Sequence, residues 1–391
     1  MVWIALFSVV QAEENALECG IDFDVFLQQM SRMALSQGIS ENTVVETITS
    51  TKYLPEVIAL DRSQKAFRLS FADFSRRSVN TYRLINGKKK IIEFSDTFNQ
   101  IKSNYGIPAE VITAFWAMES DFGEVQGNFH TLSALATLAF DCRRAKLFQE
   151  HFLAAIRLID NSRLTVAATG AWAGEYGQVQ MLPTDILRFG KDGDGDGQVT
   201  LNESPEDTIL TAAALINHLG WNSDEPWLEE VILPKTFHWR ETGFGRAKTL
   251  HEWVEMGVRP RTKNTFMSED YNVESILLLP QGRKGPKFLA YPNFNLFLKW
   301  NDSFIYSVTT AYLATRLNGY PEYLSEQPEN ILNKEQMIQL QQILSELEFD
   351  VGGLDGILGA KTRQAVRSLQ ILLGLPADSW PTLELLTLLT N

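Results

Sequence analysis

"GIPAEVITAFWAMESDFGEVQG" runs from Gly106 to Gly127. It opens with Pro108 where a helix's first turn loses no hydrogen bond to it, then continues almost wholly apolar to Met118. One carboxylate, Glu119, sits at the end of that run, and Gly123 and Gly127 follow at once. The reading is a buried helix that carries one acid to its end and stops. Among Phe115, Trp116 and Met118 such a carboxyl is partly desolvated, and desolvation favours the protonated form. A glutamic acid kept protonated near neutral pH can give its proton to a glycosidic oxygen. Read alone, a glutamate capping or pairing at a helix end is the simpler account.

Working outward, the chain is mainly helical. Residues 22–60 read as amphipathic helices, with Gly38 ending one and Ser40 capping the next. A further helix is expected over 91–106, two over 130–160 broken near Asp141, and one over 205–218. Strand-like runs are few: "LPKTFHWRE" at 233–241, "SILLLP" at 275–280 and "KFLAYPNF" at 287–294. A polar, proline-containing stretch at 321–333 reads as a linker. Beyond it, 334–391 reads as helix, glycine-rich turn, helix, short loop, helix, a small three-helix domain.

Two further stretches bear on chemistry. "GAWAGEYGQVQMLPTDI", Gly170–Ile186, crowds glycines and small residues beside Gln178 and Gln180, as a loop approaching a ligand would. "KWNDSFIYS" offers Trp300, Asn301, Ser303 and Tyr306 at helix-like spacing, aromatics and amides suited to sugar faces and hydroxyls. Structural turns and helix starts use the same residues.

Taken together and in order, these segments resemble the lytic murein transglycosylases of the membrane-bound lytic transglycosylase B type, glycoside hydrolase family 103, over roughly Ile21 to Tyr320. The resemblance implies a lysozyme-like, mostly α-helical catalytic domain (13–320) with a small β element. It implies cleavage of the MurNAc-β-1,4-GlcNAc bond of peptidoglycan without water, the muramyl C6 hydroxyl attacking to leave a 1,6-anhydro end. The family's single catalytic acid, later base, falls on Glu119, its active-site glutamine on Gln180, and its aromatic–asparagine pair and tyrosine on Trp300, Asn301 and Tyr306. Arg143 and Arg144 are candidates for the substrate's anionic groups. A tethered hydroxyl needs neither a second carboxylate to activate water nor a carboxylate nucleophile, so one acid suffices. Ala171, Glu175 and Trp300 depart from the family's usual serine, small residue and tyrosine. A hydrolytic muramidase of the same fold and a non-catalytic wall-binding scaffold are the alternatives.

"DGDGDGQVTLNE", Asp192–Glu203, has acids at the first, third, fifth and twelfth places and Gly197 at the sixth, the spacing of an EF-hand calcium loop. Asp192, Asp194, Asp196, the carbonyl of Gln198 and Glu203 are the expected ligands, with Asp207 a rival to Glu203 for the closing place. A structural calcium ion is expected. The pattern Asp355, Gly356, Gly359, Thr362 resembles that of the small peptidoglycan-binding domain, implying a tether to glycan strands.

The net charge of −13 excludes a basic nucleic-acid surface, and no internal stretch is long and apolar enough to cross a bilayer. "MVWIALFSVVQA" at 1–12 resembles a secretory signal and points to a periplasmic protein. Cys19 and Cys142 could form one disulfide or stay reduced.

Overall fold

The computed structural model describes residues 22–62, 69–324 and 332–390. The signal-like run and Cys19 therefore lie outside the described residues, and Cys142 is exposed and unbridged within them. The chain divides into two compact units.

The first unit combines the described part of Met1–Ser63 with Gln126–Tyr176 and Gln180–Arg188. Helix Thr131–Phe140 is buried along nearly its whole surface, as "TLSALATLA" requires of a helix at the centre of a layer. Its hydroxyls are not wasted: Ser133 and Thr137 accept the backbone N–H groups of Lys52 and Leu54, which precede helix Pro55–Arg62. Helix Ala145–Asp160 packs along it after a break at 141–144, where the sequence placed one. Ser40 caps Glu41–Ser50 through its hydroxyl, again as expected. Two short strands, β1 (Phe129–His130) and β2 (Thr169–Gly170), pair antiparallel. Gly127 is obligatory beside them: its φ is +92°, and a Cβ would stand 2.1 Å from Gly170 O.

The second unit holds Gln64–Val125, Gly177–Val179 and Phe189–Asn391. Its central helix, Phe304–Leu317, is buried on almost every side and packs against Ala109–Ser120, the helix that carries Glu119. Five antiparallel strands form a sheet: β3 (Leu228–Ile232), β4 (Lys248–Thr249), β5 (Arg259–Pro260), β6 (Glu274–Leu278) and β7 (Phe288–Ala290), in the order β4-β6-β7-β3-β5. Trp253, Leu250, Leu277 and Leu289 form the apolar layer beneath it.

Three expectations change. The strand near 233–241 lies earlier, at β3, because Pro234 has no N–H to give a ladder; 239–241 is a single 3-10 turn. The helix expected over 91–106 is two, Thr81–Glu93 and Ser95–Tyr105, parted at Phe94, whose ring meets that of Trp116 at 5.9 Å. Helix Phe71–Ser78 carried no clear periodicity in so short and charged a stretch.

Helices Lys334–Glu346, Ala360–Leu372 and Leu383–Thr390 close around their own core of Met337, Leu340, Leu344, Val366 and Trp380. The glycine-rich turn is tied to the first of them by one amide: Gln341 donates to Asp355 Oδ1 and accepts from Gly356 N. Thr362 Oγ1 donates to Val351 O. Arg363 is buried, donates 2.8 Å to Pro280 O, and lies over the rings of Phe304 and Trp380. Asp378 takes the backbone N–H of Arg283 at 3.1 Å. These groups fix the three helices to the rest of the second unit.

Candidate active site

Helix Ala109–Ser120 ends abruptly because three successive residues, Asp121, Phe122 and Gly123, have positive φ. For two non-glycine residues that conformation carries strain, which neighbouring bonds must hold. Arg83 donates 2.6 Å to Asp121 Oδ1 and 3.2 Å to Ser78 O. Ser120 donates its hydroxyl proton to Gln178 O and accepts Gly123 N at 2.8 Å. Gln178 in turn accepts the Trp116 indole N–H at 3.0 Å through its side chain. The buried Gln178 is thus a strut for the turn.

On this rigid end Glu119 is half-buried, and two neutral donors reach the same oxygen. Trp300 Nε1 donates to Glu119 Oε1 at 2.8 Å, and the Tyr306 hydroxyl donates to that oxygen too. Trp300 is held by stacking on Phe115, ring centroids 4.2 Å apart. Burial first, then the negative charge on Glu119, pushes the Tyr306 hydroxyl well above its ordinary pKa, so it keeps its proton and remains a donor. Both donors favour the ionised carboxylate, opposing the desolvation that the apolar neighbours impose.

Trp300 and Tyr306 do not share one helix, as their spacing suggested. Trp300 ends helix Phe294–Trp300, and Ser303 caps Phe304–Leu317. Asn301 makes the corner: its side chain accepts Ser303 N at 2.9 Å and its carbonyl accepts the Ser307 hydroxyl. Its amide holds the two aromatic donors in register.

Gln180 belongs to the first unit, with φ +47° and its amide donating 3.1 Å to Gln126 O. Arg143 and Arg144, also in that unit, both bond the buried carboxylate of Asp61. Sequence reasoning missed Arg83, Ser120 and the bracing role of Gln178. Only the left-handed turn makes them necessary, and no residue pattern announced it.

In the acidic loop, carboxylate oxygens of Asp192, Asp194 and Asp196 lie within 4.8 Å of one another. Glu203 lies apart from that cluster, its carboxylate taking the Asn202 amide at 3.3 Å. Asp207 is buried and spans the loop, its oxygens accepting Gly193 N at 2.7 Å and Thr200 N at 2.6 Å. The loop's end reaches the site's scaffold, since Gln178 N donates 2.9 Å to Leu201 O. No Cβ fits at Gly177, where it would meet Leu201 at 2.6 Å.

Comparison with known proteins decides the family. The transglycosylase SLT domain model matches residues 22–315, three quarters of the chain. This chain belongs to the SLT lytic transglycosylases. It is a lytic transglycosylase acting on peptidoglycan. A peptidoglycan binding domain model matches residues 333–389, the three C-terminal helices. SltB3 of Pseudomonas aeruginosa, solved with NAG-anhNAM-pentapeptide, is 32% identical, with a TM-score of 0.87 over 95% of this chain and 100% of that one. Membrane-bound lytic murein transglycosylase B of Escherichia coli (strain K12) is 24% identical over 77% of this chain and 85% of its own length. The Escherichia coli lytic transglycosylase Slt35, solved in complex with calcium, shares the fold at 22% identity and a TM-score of 0.64, covering 79% of this chain and 98% of that one. No helix among the described residues of the transglycosylase is long and apolar enough to cross a membrane.

Proposed function

We propose that Glu119 is the sole acid and base of a non-hydrolytic cleavage at the MurNAc-β-1,4-GlcNAc bond. The convergence of the Trp300 and Tyr306 donors on one Glu119 oxygen carries this reading. Protonated Glu119 gives its proton to the glycosidic oxygen as the bond from muramyl C1 breaks. The carboxylate left behind is the species the two donors stabilise, without reorganisation at the moment of reaction. It takes the proton of the muramyl C6 hydroxyl as that oxygen bonds to C1. Proton and bond counts balance, and water does not enter. Asp121, the acid nearest in sequence, is engaged by Arg83, which argues against its serving as a base for water. Asn301 positions the donors, and Gln180 supplies an amide toward the sugar. Arg143 and Arg144 reach substrate only from their places on Asp61.

The acidic loop fits a calcium ion: three carboxylates converge at a spacing that ligand distances of about 2.3–2.6 Å span. Asp192, Asp194, Asp196 and the Gln198 carbonyl would hold it. Glu203 is the closing ligand we favour, because backbone amides already occupy both Asp207 oxygens. Calcium there supplies structural charge neutralisation and steadies the loop that ends on Gln178. The substrate and the signal-like run at 1–12 both support export to the periplasm.

The test is Glu119→Gln on purified sacculi, with products read by mass spectrometry. Anhydro-muramyl ends from the parent and a loss of at least about a thousandfold in the variant support the reading. Reducing muramyl ends would mean hydrolysis, and undiminished digestion by the variant would remove Glu119 as the acid.

A further inference from the structure

A groove of about 610 Å³ lies along β3, away from any residue placed in the chemistry above. Its size is that of a small-molecule site, about 300–1,000 Å³. Its charge is anomalous for a chain of net −13: Lys235, Arg261, Arg283, Lys284 and Lys287 line it, against one lining carboxylate, Glu230. Arg261 is paired with Glu230 at 2.5 Å, and Arg283 with Asp378 at 3.3 Å. After both pairs are counted, three lysines remain as excess positive charge around one cavity.

The rest of the wall is apolar. Val231, Leu233, Pro234 and Trp239 line it, with half-exposed Ile232 beside them. Neighbouring residues build the groove stiffly. Val231 N donates to Lys287 O at 2.9 Å, Arg261 N to Glu230 O at 3.0 Å, and Leu324 N to Glu230 Oε1 at 2.7 Å. Focused positive charge over a low-dielectric wall attracts anions selectively. A sugar-phosphate polymer would leave the aliphatic and indole surface unused. A short peptide with small aliphatic side chains and several carboxylates uses both halves.

We propose that this groove binds the carboxylates of peptidoglycan peptide stems, a second recognition site separate from the glycan-cutting one. The proposal rests on peptidoglycan being the substrate. With it, the enzyme would read peptide through the groove and glycan at Glu119, and peptide-bearing strands would be held at two points.

The test uses the full chain and a soluble alanyl-γ-glutamyl-diaminopimelyl-alanine tetrapeptide, with binding followed by calorimetry. The charge-reversed variant is Lys235→Glu with Lys284→Glu, and Lys235→Arg with Lys284→Arg is the conservative control. The expected result is salt-sensitive binding that falls at least about tenfold on reversal and survives in the control. KM on intact sacculi should rise several-fold, with kcat unchanged. Turnover of glycan strands stripped of peptide by an amidase should match the parent. Tetrapeptide binding that ignores charge reversal, or its absence in the parent, overturns the proposal, as does inorganic phosphate displacing the peptide at equal concentration. Failure of the parent to cut stripped strands would count against the Glu119 reading alone, since the binding measurement does not depend on it.

Discussion

Trp300 and Glu119 are joined by a 2.8 Å hydrogen bond from the indole Nε1 to Oε1, although they lie 181 residues apart in the chain. The bond depends on the ring being stacked on Phe115 and on the corner at Asn301.

Trp300→Phe keeps an aromatic ring over Phe115 but removes the donor. A hydrogen bond to a charged group contributes about 1.5–3 kcal/mol, so kcat should fall by about ten- to a hundredfold with KM little changed. The lost donor favoured the ionised carboxylate. Its removal favours the protonated form, so the alkaline limb of the rate profile should move to higher pH. Tyr306→Phe should shift it the same way. Steady-state rates from pH 5 to 9 check both signs, and a limb that moves down refutes the donor role.

Gly123→Ala tests the turn behind Glu119. Gly123 has φ +92°, and an added Cβ would stand 2.6 Å from Gln178 Oε1, the atom that accepts the Trp116 indole. Stability in urea should drop by about 2–4 kcal/mol, with activity falling more steeply than the folded fraction.

Chelation should lower the melting temperature of the purified protein, and added calcium should restore it. At free calcium a hundred times Kd the stabilisation is about 2.7 kcal/mol. Asp194→Ala should abolish the response, while Asp207→Asn should destabilise the loop with or without the ion, because Gly193 and Thr200 both lean on that carboxylate.

Arg363→Ala removes a buried guanidinium whose pKa burial lowers to about 9, still charged at neutral pH. It leaves the Leu279 and Pro280 carbonyls without that donor and empties the space between Phe304 and Trp380. The expected cost is about 3–5 kcal/mol. Residues 332–390 should then lose hydrogen-exchange protection ahead of the sheet.

The pH dependence of stability has two arms of opposite sign. His151 is buried, and desolvation lowers its pKa to about 4. The unfolded chain binds that proton first, so stability falls as pH drops from about 6.5 through 4, by up to about 3 kcal/mol. Glu229 is buried beneath Tyr291 and Met267, and desolvation raises its pKa to about 7. The folded state holds that proton longer, so stability falls as pH rises from about 4.5 through 7. His151→Gln should flatten the acid arm and Glu229→Gln the alkaline one in urea titrations across pH.

Much of this was legible in the residues. The apolar run before Glu119, the break near Asp141, the Ser40 cap and the acids of the 192–203 loop all declared themselves through spacing. Long-range partnership did not. That Arg83 would brace Asp121, or Gln178 support Ser120, follows from a left-handed turn that no local pattern encodes. The helix break at 301–303 was hidden because Trp300 and Tyr306 keep a plausible helical interval while a corner separates them. Arg143 and Arg144 looked available in the sequence because Asp61, their common partner, lies some eighty residues earlier.

The Arg363 clasp has a consequence for how the wall is worked. Wall-gripping helices on a loose leash would let the cutting glutamate wander over neighbouring strands. Bolted through a buried guanidinium, they instead behave like the fixed jaw of a calliper. The interval from grip to cut is then a dimension of the fold, and fragment lengths released from a long strand would cluster at set values.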